Sequence, residues 1–479
     1  MVTERSIDQH RVQPLAEGEG TGAPVSDDIF ETMAVGMIGR FWPLVDGRPQ
    51  VPVMHGAVRR DEDGYWVVDV EGWDSAGDGS TPERGYPESI VAILGGGPVY
   101  FSDQRRRTDF QLYTDRKIHV IRLWFGTATT GAHVNTIEAD GIILAEAIFP
   151  NQLSWSAYKL PEWRWRNASE PLGEGYSLDF EKTAATKLAI GGGMTLTVKP
   201  TWRGDREVEQ LRIPSGLSLA LSSALPEPTA KYVETLEWLQ DLIGLCWDGR
   251  VIPIPGVGQV NAAQDETGKF WSQRLLETHN GQLADLTSPF PAVRLEDLGG
   301  PRAFLRWIIL CRYASRATRG VSEGLYVGAS VETRVLNTMS AVAYWVGRHH
   351  GSEPWARIHL SNRHTSNQLW RLVKHYLPLF EDWVGDGELF SKRLWWDYDQ
   401  LRHNPSHEVD YGLLHAFTIA ARLMLIASLL DKVAGSTAPS EKIVKHYWQV
   451  GQALKELLAD TERSKVKDNR PRRHKKKKP

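Results

Sequence analysis

The chain has 479 residues, a formal net charge of −3, and 41% hydrophobic and 24% charged residues. This composition is typical of a globular protein, and the length predicts two or three domains. Its two cysteines, Cys246 and Cys311, are too few for a disulfide framework or a cysteine-rich zinc finger, and their apolar surroundings predict core positions. No run of 18 apolar residues occurs and the N-terminus is polar, so we expect a cytoplasmic protein without a membrane span or secretory signal.

The charge is unevenly distributed along the chain. Residues 465–479 contain nine Lys or Arg and one Asp, so the remainder carries about −11. A basic terminus of this kind is typical of a disordered arm, and such arms often contact nucleic acid. A merely solvated terminus is the alternative, because the acidic body lacks the broad basic face of duplex-binding proteins.

The first half of the chain has the pattern of a β-rich domain. Short apolar runs are separated by Gly, Pro and Asp clusters up to about residue 230. The clearest runs are Tyr65–Val70, Ile118–Phe125, Ile142–Phe149, Met194–Val198 and Leu217–Leu221. Many short strands without intervening helices favour a sandwich or barrel-like domain over a doubly wound fold.

The periodicity then changes to that of amphipathic helices. The helices are expected at about 231–247, 321–348, 366–382, 388–402, 409–434 and 440–459. Short connections between such helices favour an antiparallel bundle.

The fold class expected is therefore α+β, with a β-rich N-terminal domain followed by an all-α bundle. The expected units are a flexible lead (1–28), the β-rich domain (29–230), a helical connector with loops (231–302), the bundle (303–460) and a disordered basic tail (461–479).

The most informative segment joins two of the bundle helices. Asn404 is a good N-cap and Pro405 suits the first helical position, which would place His407 in the first turn of the later helix. Arg402 would end the earlier helix. Arg402, His403 and His407 would then surround a helix N-terminus, whose N–H groups and dipole attract a phosphate.

These residue types could cut RNA without a metal. An arginine holds a phosphate through paired hydrogen bonds, and a histidine, with an ordinary pKa of about 6.5, moves protons at neutral pH. A base activates the 2′-OH, a cation stabilises the phosphorane, and an acid protonates the leaving 5′ oxygen.

The Arg-x₄-His spacing alone is a weak signal. It recurs at Arg5/His10 and at Arg274/His279, and only the match beginning at Arg402 joins two bundle helices. A capped turn in which Arg402 pairs with Asp399 or Glu408 is the structural alternative.

The segment Leu401–His407 (LRHNPSH) resembles the R-x₄₋₆-H signature of HEPN-domain ribonucleases, and a long apolar helix follows it. His403 stands where many of these nucleases have Asn. The N-terminal half resembles the first domain of ApeA-like anti-phage proteins, and the whole resemblance spans about residues 29–435. The residues that carry the N-terminal resemblance are Phe41-Trp42-Pro43, Val51-Pro52-Val53, Gly56 and Ala147–Trp155.

This resemblance implies a metal-independent endoribonuclease that needs no cofactor and leaves 2′,3′-cyclic phosphate and 5′-OH ends. It implies a homodimer with a composite active site, and an abortive-infection role in which tRNA or other host RNA is cut when a phage-encoded trigger is sensed. It assigns phosphate binding to Arg402, acid/base chemistry to His407, and to His403 a supporting role, either orienting His407 or contacting the phosphate. Glu332 is the candidate for the acidic residue that many HEPN sites carry opposite the motif, and a solvent-facing glutamate is the alternative.

Two other functions remain open on the sequence. A non-catalytic HEPN protein would bind RNA or nucleotide and act through a partner. A carbohydrate-binding β domain would use the tryptophans Trp155, Trp163 and Trp165. Of Trp395 and Trp396, which precede the motif, one is expected to pack in the core while the other could stack a base.

Overall fold

A computed structural model gives the fold as α+β, with a β-rich N-terminal part followed by a helical region. It describes residues 28–45, 48–49, 53–62, 64–71, 89–95, 97–113, 117–130, 141–150, 152–156, 162–166, 175–179, 185–202, 205–207, 210–212, 215–249, 251–253, 258–262, 267–276, 290–326, 330–357, 367–404 and 410–468. The expected lead, apart from its last residue, and the end of the basic tail lie outside the described residues.

All described strands lie in the first 272 residues. They are β1 (Met37–Val45), β2 (Arg48–Pro49), β3 (Met54–Arg60), β4 (Trp66–Glu71), β5 (Ser89–Leu94), β6 (Gly97–Tyr113), β7 (Lys117–Thr130), β8 (Gly141–Pro150), β9 (Glu162–Arg166), β10 (Gly175–Asp179), β11 (Thr186–Gly191), β12 (Met194–Trp202), β13 (Asp205–Glu207), β14 (Gln210–Arg212), β15 (Ser215–Pro228), β16 (Gly258–Ala262) and β17 (Thr267–Ser272). The five runs predicted as strands are confirmed by β4, β7, β8, β12 and β15.

Most of the described helices follow the strands. They are α1 (Asp28–Val35), α2 (Leu153–Ser156), α3 (Thr229–Trp247), α4 (Gln273–Leu276), α5 (Arg302–Tyr313), α6 (Ser315–Tyr326), α7 (Val331–His349), α8 (Asn367–Val384), α9 (Gly387–His403), α10 (Tyr411–Ala434), α11 (Ala438–His446) and α12 (Trp448–Asp468), with a 3₁₀ turn at Pro354–Arg357.

Six antiparallel strands close into a barrel in the order β7-β4-β3-β1-β5-β6, with β6 pairing back onto β7. Its interior holds large, fully buried side chains, among them Phe41, Trp66, Phe101 and Phe125. Helix α1 packs against the barrel, and the ring centroids of Phe30 and Trp66 lie 6.2 Å apart. Because these large side chains fill a barrel of only six strands, the barrel interior is a packed core.

Strand β7 belongs both to the barrel and to an open sheet. Its first part pairs with β4 and its last residues with β17, from which the sheet continues as β16-β8-β15-β12-β11. Gly126 lies where the partner changes, and a Cβ there would collide with the Asp103 carboxylate beside a bulge in β6. Strands β16 and β17 lie inside this sheet, between β8 and β7, so part of the connector expected at 231–302 belongs to the β-rich part.

Helix α3 lies between the open sheet and the helical region. It confirms the helix predicted at 231–247, and it is buried on most sides, as a helix enclosed by two layers must be. The Tyr232 hydroxyl donates to the Ile142 carbonyl of β8 (2.9 Å), and Trp307 of α5 donates to the Trp238 carbonyl of α3 (2.6 Å). One hydrophobic core therefore runs through both halves, and it contains the two cysteines, as predicted.

The prediction of a single helix at 321–348 is wrong. The chain forms α6 and α7 instead, and α7 begins after Ser330, whose hydroxyl accepts a hydrogen bond from the Thr333 N–H. Such a cap satisfies one of the N–H groups that a helix start leaves without a partner.

The prediction of a single helix at 440–459 is also wrong. The chain forms α11 and α12, which Tyr447 separates, and α12 continues to Asp468. Residues 461–468, expected to belong to a disordered tail, are therefore helical. The helices predicted at 366–382 and 388–402 are confirmed by α8 and α9.

Helix α10 is the central helix of this region and packs against α5 to α9, α11 and α12. By length and composition alone it could cross a membrane, but most of its apolar stretch is buried inside the protein. The core helix of a globular domain has the same properties, so this helix by itself carries no conclusion about a membrane.

A buried histidine ends helix α7. His349 is 3% exposed, and its Nδ1 lies 3.0 Å from the Trp345 carbonyl oxygen. Its ring lies between Trp345 and Trp355, with centroid distances of 4.0 and 5.8 Å. Burial, the largest contribution, lowers the pKa of His349 below its ordinary value.

Stability is therefore expected to fall on acidification. The folded protein binds a proton at His349 less readily than the unfolded chain does, so the contribution of this residue is complete above pH 6.5 and is lost as the pH falls below it. Urea unfolding at pH 7.5 and 5.5 should show a loss of up to about 1 kcal/mol from this residue. His349→Gln should remove that part of the difference, and an identical pH dependence in the variant would contradict the assignment.

Candidate functional site

Helix α9 ends in the two basic residues of the motif. Arg402 and His403 occupy its last turn, and the Asn404 N–H donates to the Gln400 carbonyl. Asn404 has an extended backbone (φ −131°, ψ 91°), the conformation that a following proline favours. The helix therefore stops where Pro405 requires it to stop.

Helix α10 starts later than the sequence predicts. Its N-cap is Asp410, whose Oδ1 accepts a hydrogen bond from the Leu413 N–H at 3.1 Å. The prediction that Asn404 caps this helix is therefore wrong, because Asn404 is the C-cap of α9. Residues 405–409, including His407, lie outside the described residues.

Arg402 is exposed, and its guanidinium is held by an aromatic ring. Its Cζ lies 5.4 Å from the ring centroid of Tyr398, one turn earlier in α9. Within the described part of the chain Arg402 makes no ion pair. The nearby Asp399 lies instead beside His403, with 3.8 Å between its Oδ1 and His403 Nε2. The alternative of an Arg402–Asp399 pair is therefore wrong, and the other proposed partner, Glu408, lies outside the described residues.

Glu332 is connected to the same helix junction. It lies in the first turn of α7, and hydrogen bonds from Ser330, from its own backbone N–H and from the Tyr411 hydroxyl lower its pKa. The hydrogen bond with Glu332 in turn raises the pKa of Tyr411. Tyr411 is the first residue of α10, so the start of α7 is joined to the start of α10.

Helix α7 and the two helices on either side of the motif form one packed group. Helix α7 packs against α9 and α10, and α9 packs against α10. The structure brings Glu332 to the helix that follows the motif, and its functional role stays a prediction. Sequence reasoning did not single out Tyr411, for which the only signal is its place four residues after His407.

The two tryptophans before the motif have different environments. Trp395 is partly buried against the core, and its ring centroid is 5.4 Å from that of Tyr398. Trp396 is 45% exposed, and the guanidinium carbon of Arg393 lies 5.3 Å from its ring centroid. Of this pair, Trp395 is the packing residue and Trp396 the one at the surface.

The tryptophan cluster of the β-rich part gives no stacking surface in its described side chains. Trp155 is fully buried, and its Nε1 donates to the Val293 carbonyl at 3.0 Å. Trp163 and Trp165 belong to β9, but their side chains are outside the described ones. No group of three or more His, Cys, Asp or Glu that could hold a metal ion occurs in the described segments.

Comparison of the chain with protein-family models, with curated proteins and with solved structures gives no match.

Proposed function

We propose that this protein is a HEPN-type endoribonuclease of anti-phage defence, with an all-α HEPN nuclease bundle in its helical region. The observation that carries the proposal is Arg402, an exposed arginine at the end of α9 that is oriented by an aromatic ring and engages no carboxylate among the described residues. A phosphate can take this position, because a guanidinium forms two parallel hydrogen bonds with phosphate oxygens. The resemblance of LRHNPSH to the HEPN signature supports the same conclusion.

The proposed reaction is an internal transfer within RNA. The 2′-OH gives up its proton to a base, its oxygen attacks the neighbouring phosphorus, and the bond to the 5′ oxygen breaks as that oxygen takes a proton. Arg402 stabilises the charge on the phosphorane, and His407 carries protons. His403 contacts the phosphate from the last turn of α9 or orients His407.

A homodimer fits this chemistry. The reaction needs one group to remove a proton and one to deliver it, and two chains that meet at the motif would supply two histidines to one cleft. The resemblance in the N-terminal half supports a regulatory role for the β-rich part, which would respond to a phage trigger in the bacterial cytoplasm. Host RNA such as tRNA is the proposed substrate.

The proposal is tested with purified full-length protein and total bacterial RNA in EDTA, followed by sequencing that captures cyclic phosphates. We expect discrete cuts with 2′,3′-cyclic phosphate and 5′-OH ends. His407→Ala should lower their rate by about 10²- to 10⁴-fold, the usual contribution of a general acid or base. His350→Ala, an exposed histidine at the far end of α7, is the matched control and should cut like the parent.

Equal cleavage by the parent and by His407→Ala would contradict the site. RNA binding that Arg402→Ala weakens, without cyclic-phosphate products even in lysate of phage-infected cells, would favour the alternative of a non-catalytic HEPN protein that acts through a partner.

A further inference from the structure

Helices α5 and α6 carry arginines without any acidic residue among them. Residues 298–322 contain five arginines and no Asp, Glu or Lys, although the chain outside its basic end carries about −11. Four of these arginines are exposed: Arg302, Arg312, Arg316 and Arg319. This part of an acidic body therefore concentrates positive charge.

Helix α7 adds a further arginine and joins two of the cations to tyrosine rings. The Cζ of Arg348, in the last turn of α7, lies 4.2 Å from the ring centroid of Tyr313, and that of Arg316 lies 5.8 Å from the ring centroid of Tyr344. Tyr344 and Arg348 are one turn apart on α7 and share a face of it, so the two pairs lie side by side. These four residues, with Arg319 one turn beyond Arg316, are named the arginine–tyrosine surface.

No carboxylate in the described segments neutralises the arginines of this surface. Arg316, Arg319 and Arg348 make no ion pair there, and the Arg348 side chain donates instead to the Tyr313 carbonyl, 2.9 Å from Nη2. Arg316 and Arg319 are one turn apart on α6, and like charges at this spacing repel each other. The folded protein therefore holds an unfavourable cluster of charge, which a bound anion would stabilise.

The residue types of this surface favour RNA as the anion. All its cations are arginines, and a guanidinium binds phosphate oxygens through two parallel hydrogen bonds. RNA bases stack on guanidinium planes as well as on aromatic rings. The tyrosine rings also restrict two of the guanidinium groups, so less conformational entropy is lost when a ligand binds.

The surface lies at a distance from the motif. Arg348 follows Glu332 by sixteen residues, so about 24 Å of α7 separates it from the end of this helix that contacts Tyr411. At about 3.4 Å per stacked nucleotide, this distance corresponds to about seven nucleotides. A shorter oligonucleotide bound at one end of α7 would therefore leave the other end free.

We propose that the arginine–tyrosine surface binds the phosphate backbone of RNA, as an anchoring site separate from Arg402. This inference rests on the proposed function, since it takes RNA as the ligand, and it adds the class of substrate, an RNA longer than about seven nucleotides. The anchor contacts the RNA equally before and during the reaction. Its removal should therefore raise KM for a long RNA and leave kcat unchanged.

The test measures binding without cleavage. Full-length His407→Ala protein, which should bind RNA without cutting it, is titrated with fluorescein-labelled 24-nucleotide oligouridylate and with the tetranucleotide over a range of KCl concentrations. Adding Arg319→Gln and Arg348→Gln together should weaken binding of the 24-mer about tenfold and leave the tetranucleotide unchanged. The slope of log Kd against log salt should fall by about 1.4 for the 24-mer, because two phosphate contacts are lost.

Two further variants control for charge and for position. Arg319→Lys with Arg348→Lys keeps the charges, so it should retain most of the salt dependence while losing part of the affinity. Arg106→Gln is the matched control, because Arg106 is also exposed and also lies over an aromatic ring, with its Cζ 5.0 Å from the ring centroid of Trp124 in the barrel. It should change the binding of neither RNA.

The outcomes distinguish this surface from the proposed function. Unchanged binding of the 24-mer by the double Gln variant would overturn the surface alone, whereas failure of the His407→Ala protein to bind either RNA would overturn both. A selective loss of 24-mer binding, without cyclic-phosphate products from the parent protein, would support the surface and contradict the nuclease. Polyglutamate of equal charge that competes as well as the 24-mer would overturn RNA as the ligand and assign the surface to an acidic protein.

Discussion

Arg402→Ala is expected to lower the rate of RNA cleavage by about a hundredfold or more while the free energy of unfolding stays nearly unchanged. The guanidinium is exposed and its described contact is with the Tyr398 ring, so little of the fold depends on it. In the proposed reaction, by contrast, it faces the charge that develops on the phosphorane. A group that acts mainly in the transition state lowers kcat and kcat/KM together when it is removed.

Two further variants sharpen this prediction. Arg402→Lys keeps the charge but loses the paired hydrogen bonds, so its activity should fall between those of the parent and the alanine variant. Arg106→Ala is the matched control, because Arg106 is also exposed and also lies over an aromatic ring, with its Cζ 5.0 Å from the Trp124 ring. Steady-state cleavage of a defined RNA and urea unfolding measure the two quantities. Equal losses of activity in Arg402→Ala and Arg106→Ala would contradict a role in the reaction.

Local patterns in the sequence were sufficient to identify many of the elements. The helix that became α9 and the strands that became β4 and β7 show their periods over enough residues to be recognised. The break before α7 was missed because the periodic pattern continues across it, whereas the side-chain cap at Ser330 is a local event. The misplaced start of α10 has a similar cause: Asn404 and Asp410 are both good N-caps, and only the latter is used.

Contacts between distant segments could not be derived in this way. The insertion of β16 and β17 between β7 and β8 joins residues more than a hundred positions apart. The bond between Tyr411 and Glu332 joins two helix starts in the same manner. A motif within one short segment is visible in a sequence, but the groups that the fold brings to it from elsewhere are not. The sequence therefore located the Arg402 junction without revealing what surrounds it.

Arg422→Ala is expected to lower the free energy of unfolding by about 2–3 kcal/mol, because it leaves a mostly buried carboxylate without its cation. Arg422 lies in the middle of α10, and its Nη1 is 3.0 Å from Oδ1 of Asp248, with side-chain exposures of 20% and 24%. Asp248 ends α3 in a left-handed conformation, and its side chain also bonds Tyr447. The guanidinium donates as well to the Val321 carbonyl. This cluster joins the helix that covers the open sheet to the central helix of the helical region.

The two halves should therefore unfold as one unit. Their common core and the Arg422–Asp248 pair predict a single transition in urea, measured both by tryptophan fluorescence and by helical circular dichroism. Asp248→Ala should lower the free energy of unfolding by a similar amount. The double variant should lower it by less than the sum of the two single effects, because each single change already breaks the pair. Two separate transitions, or a loss no larger than that of Arg106→Ala, would show that the halves are held independently. Tyr411 precedes Arg422 by eleven residues, or about 16 Å of continuous helix, so this pair is one described contact that connects the end of α3 to the helix that follows the motif.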